Sequence, residues 1–295
     1  MKLLENALQK IRSGGELHFS EALELASHTD PVALYQGADR LRRDMHGDHF
    51  DLCSIINARS GKCSENCAFC AQSSRHQTEI ETYDMVSYDE LRRQGLENES
   101  LGVARFSMVT AGREVSAADI ESFASMYGQL GHESDLFFCA SMGFLTPEKA
   151  EMLVAAGVKR YHCNLETCKS FFPRICTTHT WEEKVATIGI AREAGMDICS
   201  GGIIGLGETF EQRLELAFEL RELDVMSIPI NILTPIAGTP LGEVEQLTLS
   251  EVLCCNAMFR FINPRAVVRL AGGRALLGDE QYRCFESGAN GAIVG

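Results

Sequence analysis

The sequence predicts an α/β protein, a (β/α)8 barrel of the TIM type with an N-terminal helical cap, and three observations lead there. Short apolar runs of strand length alternate with helix start signals along most of the chain. The connections between the runs are long enough for helices, which makes the strands parallel. No low-complexity linker or short repeat interrupts the alternation, so residues 49–295 read as one continuous barrel, and 295 residues suit that architecture.

The strand-length runs fall at 51–57, 103–109, 135–141, 159–165, 196–202, 226–233, 266–271 and 291–294, eight strands separated by seven helices. Helix starts are marked by capping-box pairs: Ser87 with Glu90, Thr180 with Glu183, Thr209 with Gln212 and Thr248 with Glu251. Thr146 before Pro147 gives another start, and Gly157 and Gly195 give stops. Residues 1–48 carry no strand signal but do hold helical segments, among them SEALELAS and the one opening at Asp30-Pro31, and form the expected cap.

With 45% hydrophobic and 23% charged residues the chain can bury a large core. No uncharged apolar run approaches the roughly 18 residues that cross a bilayer, and MKLLENALQK lacks a signal-peptide core, so the expected setting is the cytoplasm, away from membranes. Forty-one Asp and Glu stand against 27 Lys and Arg, a formal charge of −14 that repels phosphate backbones and argues against a nucleic-acid partner. Twelve cysteines where thiols stay reduced point to metal, catalysis or burial instead of disulfides.

Three of them, Cys63, Cys67 and Cys70, sit within eight residues directly after the first predicted strand, the end of a barrel where active sites are built. A structural zinc would need a fourth ligand, for which His76 is nearest, and zinc modules usually pair C-x2-C knuckles. Three buried structural thiols would need an apolar surrounding that Lys62, Ser64, Glu65 and Asn66 do not offer. Three thiolates on one short loop can instead hold three corners of a [4Fe-4S] cubane, leaving one iron open.

C-x3-C-x2-C with an aromatic, Phe69, before the last cysteine resembles the signature of radical S-adenosylmethionine (SAM) enzymes. CAQSS from Cys70, NLET at Asn164–Thr167, CSGGIIGLGE from Cys199, PIN at Pro229–Asn231 and VRLAGGR from Val268 are similar to biotin synthases, from about residue 50 to the end. The resemblance implies a [4Fe-4S] cluster on Cys63, Cys67 and Cys70 that binds SAM, and an auxiliary iron-sulfur cluster, [2Fe-2S] or larger, whose sulfur goes to dethiobiotin. It also implies flavodoxin or ferredoxin as electron donor and a homodimer. Asn164 and Glu166 share a strand face, where an amide and a carboxylate suit ribose hydroxyls or an amine, and the resemblance sets them near SAM. The glycines from Gly201 to Gly205, Gly202 among them, allow a flat ring to approach or serve a turn, and the resemblance sets Ile203 on the adenine. It sets Asn231 on the ureido ring of dethiobiotin, whose donor and acceptor an amide matches.

Cys53, Cys139 and Cys199 lie on separate predicted strands and can all point into the barrel. The resemblance makes Cys139, Cys199 and Arg269 three of four auxiliary ligands and puts Ser107 at the fourth. A serine oxygen is a hard substitute for thiolate, so Cys53 on the neighbouring strand is the expected replacement, ahead of Cys168 and Cys176 in the loop after strand four. Cys163 is expected to face the helices, and Cys254, Cys255 and Cys284 to sit in helical core. Arg113 suits the SAM carboxylate or a solvated loop. The rival readings are a radical SAM enzyme of the hydrogenase-maturation or thiazole-forming type that inserts no sulfur, and an iron-sulfur carrier without catalysis.

Overall fold

In the computed structural model, which describes residues 2–294, helices α1 (Lys2–Arg12), α2 (Phe19–His28) and α3 (Pro31–His46) precede the first strand. Asp30 accepts a hydrogen bond from the Ala33 N–H at 3.0 Å, and Pro31 occupies the first turn, where a missing N–H costs nothing. Alternation follows: β1 (Asp51–Arg59), α4 (Tyr88–Ser100), β2 (Arg105–Thr110), α5 (Ala117–Leu130), β3 (Phe137–Ser141), α6 (Pro147–Ala155), β4 (Arg160–His162) and α7 (Trp181–Glu193). Then come β5 (Asp197–Cys199), β6 (Gly202–Ile204), α8 (Phe210–Glu222), β7 (Ser227–Ile232), α9 (Leu249–Ile262), β8 (Val267–Leu270), a 3-10 segment (Arg274–Ser287) and β9 (Gly291–Val294).

The strands pair in the order β5-β4-β3-β2-β1-β9-β8-β7-β6, all parallel, and a further pairing of β5 with β7 closes the sheet into a barrel of eight staves. The stave expected at 196–202 is broken into β5 and β6. At the break Gly201 lies against β7 so closely that a Cβ there would sit 2.0 Å from the Pro229 carbonyl oxygen. Thr180, Thr209 and Thr248 form complete capping boxes, each cap contributing about 1 kcal/mol. Ser87 forms only half of one. It accepts from the Glu90 N–H at 3.3 Å, but Arg93 and Gln94, both at 2.7 Å, draw the Glu90 carboxylate away from its reciprocal bond.

Alternation along the strands separates two environments. Phe106, Met108, Phe138, Ile228 and Val268 are buried in the apolar layer that includes the surrounding helices. The opposite set faces the lumen and is polar, and at its base the Phe137 ring lies 4.3 Å from the Arg105 guanidinium and 5.2 Å from that of Arg160. On the outside, α3 packs on α9 around the fully buried Arg260. Its guanidinium donates to the carbonyls of Gly288, Pro264 and Ala266 and to Asn290 Oδ1, and stands 3.0 Å from His46 Nε2. Among the described residues no helix is long and apolar enough to cross a membrane.

Candidate active site

The loop after β1 is held from both sides. Gly61 turns at φ 77° where a Cβ would meet Thr82 at 2.4 Å, and its N–H donates to Gln72 at 2.7 Å. Within the loop the Cys70 N–H donates to the Cys67 carbonyl at 3.0 Å, and the Cys63 N–H to that of Gln72 at 3.0 Å. The Ala68 N–H donates to the Ile175 carbonyl at 2.8 Å, and the Asn66 side chain binds Thr177 and Thr178. Cys63, Cys67 and Cys70 thereby line one cleft of about 280 Å³ with Phe69, Asn164, Glu166, His162, His179 and Lys184. His76, the zinc alternative, instead keeps its Nδ1 on the Cys70 carbonyl at 2.9 Å.

Glu166 turns with φ 70°, a left-handed conformation that costs a non-glycine residue about 1–2 kcal/mol, and its carbonyl accepts from the Ile203 N–H at 2.7 Å. The strained turn directs its carboxylate to Lys184 Nζ at 3.3 Å and to Asn164 Nδ2 at 3.4 Å. Burial works against the Lys184 charge, but Glu166 together with the neighbouring Cys163 and Cys67 outweighs it and holds the ammonium protonated. Asn164 Oδ1 also accepts from the Gly201 N–H at 3.0 Å. Gly202 is small because a Cβ would meet the Glu166 carbonyl and Leu216, both at 2.6 Å. Close strand packing, which neither sequence reading named, is what requires glycine at 201 and 202. Ile203 and Phe69 belong to one apolar cluster with Phe172, Ile175 and Leu233 beside the cysteine loop. Asn231 bridges two backbones, donating to the Gly202 carbonyl at 3.0 Å and accepting from the Gly272 N–H at 2.9 Å.

Deeper in the lumen the register brings Ser107 of β2 opposite Cys139 of β3, and His162 of β4 opposite Cys199 of β5. Cys199 Sγ lies 3.3 Å from His162 Nδ1 and 3.3 Å from Ser227 Oγ. Burial opposes its ionisation, but the His162 and Arg269 charges prevail and bring the thiol down to about 7. Cys53 and Cys139 share a thiol–thiol hydrogen bond, which lowers the pKa of Cys53 and raises that of Cys139. Arg269 is anchored by Asp51, with Nη2 at 2.8 Å from the carboxylate and 3.4 Å from Ser227 Oγ, while Arg105 grips the other side of Asp51 at 2.8 Å.

The remaining candidates separate by position. Cys163 faces α7, its Sγ 4.0 Å from the Lys184 carbonyl, as strand alternation predicts. Cys168 turns away to Ser170 at 3.2 Å, and Cys254, Cys255 and Cys284 lie in helical or 3-10 segments against the core. Cys176, considered for the auxiliary set, instead lies 3.8 Å from Cys67 Sγ. Arg113 is partly exposed but not free for a carboxylate ligand: Glu65, Glu183 and the Thr178 carbonyl bind it and Phe144 stacks beneath it. Sequence reasoning missed Lys184, Asp51, Ser227 and His179, whose partners Glu166, Arg269, Cys199 and Glu65 lie 18 or more residues away in the chain.

The family model of the radical SAM superfamily matches residues 58–220, and that of the Biotin and Thiamin Synthesis associated domain matches residues 229–295. The chain is 57% identical to the biotin synthase of Desulfotalea psychrophila over 290 residues, covering 97% of this chain and 86% of that one. It is 48% identical to the biotin synthase of Porphyromonas gingivalis over 294 residues, covering 99% and 89%. The chain belongs to the biotin synthase family. It is a radical SAM sulfurtransferase, of the family that inserts sulfur from an auxiliary iron-sulfur cluster into dethiobiotin. Solved structures of methylornithine synthase (TM-score 0.85, 18% identity, covering 97% of this chain and 85% of that one) and of the FeFe-hydrogenase maturase HydG from Carboxydothermus hydrogenoformans (0.81, 16%, covering 99% and 70%) share the barrel. At that identity the likeness is one of fold, so the maturase-type rival gains nothing from it.

The lumen fits the second cluster that biotin synthases require. Ile55 is 43% exposed although its strand is paired on both sides, so the interior is open at that layer. Ser107 Oγ, buried there, has no hydrogen-bond partner among the described residues. Soft thiols from three staves meet this space, the donor chemistry that iron-sulfur centres need.

Proposed function

We propose that the chain converts dethiobiotin to biotin with two iron-sulfur clusters at two depths of one barrel. Cys63, Cys67 and Cys70 would hold the SAM-binding [4Fe-4S] cluster at the rim. Cys53, Cys139 and Cys199 would hold the auxiliary one, with Arg269 completing the set. When bound, the first cluster would supply the electron that splits SAM into methionine and a 5'-deoxyadenosyl radical and the second a sulfur atom, chemistry that no side chain provides. The observation that carries the reading is the convergence of thiols from three separate staves beneath the mouth that the cysteine loop lines.

The chain's own residues bind, orient and manage protons. Lys184 offers a charged donor for the SAM carboxylate, Glu166 an acceptor for its amine, and Asn164, itself held by the Gly201 N–H, fixes Glu166. Ile203 and Phe69 offer an apolar face for the adenosine. Asn231 keeps one N–H and one lone pair beyond its two backbone bonds, enough to pair with a cyclic urea. His162 Nδ1 can take the proton that Cys199 must shed to bind iron. Asp51 fixes the direction of Arg269. Family resemblance further supports flavodoxin or ferredoxin as electron donor, a homodimer, and work in the cytoplasm, where these thiols stay reduced.

The test is a Cys199→Ala variant reconstituted anaerobically. It should keep the first cluster and form 5'-deoxyadenosine from SAM while losing the iron beyond that cluster and all biotin formation. Normal biotin yield from Cys199→Ala would refute the assignment of the inner thiols.

A further inference from the structure

Cys176 lies outside the C-x3-C-x2-C motif, yet its Sγ stands 3.8 Å from Cys67 Sγ and 3.3 and 3.8 Å from the two ring nitrogens of His179. One ligand atom from each of the three residues lies within 4.8 Å of the others. Metal–sulfur bonds of about 2.3 Å and metal–nitrogen bonds of about 2.0–2.1 Å at tetrahedral angles require edges of about 3.7 Å between sulfurs and about 3.5 Å between sulfur and nitrogen. With Nδ1 taken by Glu65 the ligand nitrogen is Nε2, and its 3.8 Å to Cys176 Sγ and the 3.8 Å between the two sulfurs each lie within about 0.3 Å of those edges. They are far from the roughly 2.05 Å of a disulfide.

A second observation points the same way. The buried Glu65 carboxylate holds His179 Nδ1 at 2.5 Å and is itself fixed by Thr178 Oγ1 at 2.7 Å and Arg113 at 3.4 Å. A carboxylate on one ring nitrogen sets the tautomer and aims the other at a metal, the usual outer partner of a histidine ligand. Asn66 clamps Thr177 and Thr178 to the cysteine loop, so ligands from two segments keep their spacing. Cys67, Glu65 and His179 also line the cleft, which gives an ion a way in.

We propose that in the cluster-free chain Cys67, Cys176 and His179 bind a single divalent transition-metal ion, ferrous iron or zinc, with a fourth position left open. The ion departs when Cys67 is taken into the first cluster, and only this exchange rests on the reading of Cys63, Cys67 and Cys70 as cluster ligands. Ferrous iron held there stands beside the loop where the cubane is assembled, whereas zinc held there blocks one of its corners.

The full chain, stripped of clusters by a chelator under anaerobic conditions, is titrated with Co²⁺. One equivalent should bind, with thiolate-to-cobalt charge-transfer absorption and the visible bands of four-coordination. Cys176→Ser and His179→Gln should each weaken it by at least about 10–100-fold, and a Cys63→Ala/Cys70→Ala double variant, which keeps Cys67, should bind as wild type does. Circular dichroism melts check that each variant is folded. Undiminished cobalt binding by folded Cys176→Ser, loss in the double variant alone, or a spectrum without thiolate charge transfer would each overturn the site. Zn²⁺ and Fe²⁺ are then added as competitors, and the one that displaces Co²⁺ at lower concentration is assigned as occupant; displacement by neither overturns the proposal. Reconstitution of the cobalt-loaded wild type with iron and sulfide should release the cobalt as the first cluster forms. Cobalt retained on a fully reconstituted chain would overturn the exchange, whereas failure of wild type to form that cluster at all would count against the reading of the motif.

Discussion

Replacing Ser107 by Ala should stabilise the cluster-free chain, because this hydroxyl is buried with no hydrogen-bond partner among the described residues. Desolvating an unpaired polar group costs about 1–3 kcal/mol, and the alanine forfeits only the packing of one small atom, so the net gain is about 1 kcal/mol. For a chain of 295 residues that raises the melting temperature by about 1.5–2 °C. The assay pairs anaerobic thermal denaturation of the cluster-free protein with iron analysis after reconstitution. Ser107→Ala should keep the iron beyond the first cluster, whereas Cys53→Ala should lose it. A Cys53→Ala/Ser107→Cys double variant should recover it, because position 107 lies in register with Cys139 and a thiol there restores a third soft donor. The reasoning is refuted if Ser107→Ala melts lower, or if it loses the auxiliary iron while Cys53→Ala retains it.

Changing Cys63, Cys67 or Cys70 singly to Ala leaves a cubane with two protein ligands and should abolish 5'-deoxyadenosine formation; liquid chromatography of the SAM cleavage products checks it. Lys184→Met removes a buried charged donor, so SAM should bind about 10–150-fold more weakly by equilibrium dialysis while the clusters still assemble. Burial and the adjacent Arg260 guanidinium push His46 down to about 4, below its ordinary 6.5. The unfolded chain therefore takes up this proton first as pH falls, and stability should decline between pH 6.5 and 4. Its partial exposure limits the loss to about 1–2 kcal/mol. Melting temperatures from pH 7 to pH 4 should fall less steeply for His46→Gln, and equal slopes would remove His46 as the cause.

What was legible in the sequence is what local pattern encodes. Thr180, Thr209 and Thr248 announce their helices because a cap and its reciprocal partner are three residues apart, and strand alternation turns Cys163 outward while Cys199 faces His162. The half-formed box at Ser87 was illegible because Arg93 and Gln94 compete for the same carboxylate, and pattern does not weigh competitors. Gly201 and Gly202 had two readings until the third dimension put Pro229 and Glu166 against them. Lys184 and His179 belong to the site through contacts with Glu166 and Glu65, the latter 114 residues away in the chain. Neither carries a local signature. Cys176 was visible as a spare thiol in the loop after β4, but only the Asn66 clamp sends it to the rim instead of the lumen.

An ordinary barrel fills its interior with layers of branched aliphatic side chains, and those layers hold it together. Here the inward set includes Asp51, Cys53, Arg105, Ser107, Cys139, His162, Cys199 and Arg269, so stability must come from elsewhere. The apolar layer between strands and helices supplies it, through residues such as Phe106, Met108, Tyr127, Ile228 and Val268. Tyr127 ties two staves across that layer, accepting from the Met108 N–H at 3.1 Å and donating to the Cys139 carbonyl at 2.5 Å. The positive groups of the lumen offset one another's burial through Asp51, and they lower the cost of ionising thiols in a chain whose overall charge is −14. Fold and inner chemistry are thus carried by opposite faces of the same strands. A single inner thiol can be removed without touching the layer that holds the barrel, whereas removing Asp51 would leave buried Arg269 without its counter-charge. The cysteine substitutions therefore report on iron binding, while an Asp51 substitution would mix that signal with lost stability.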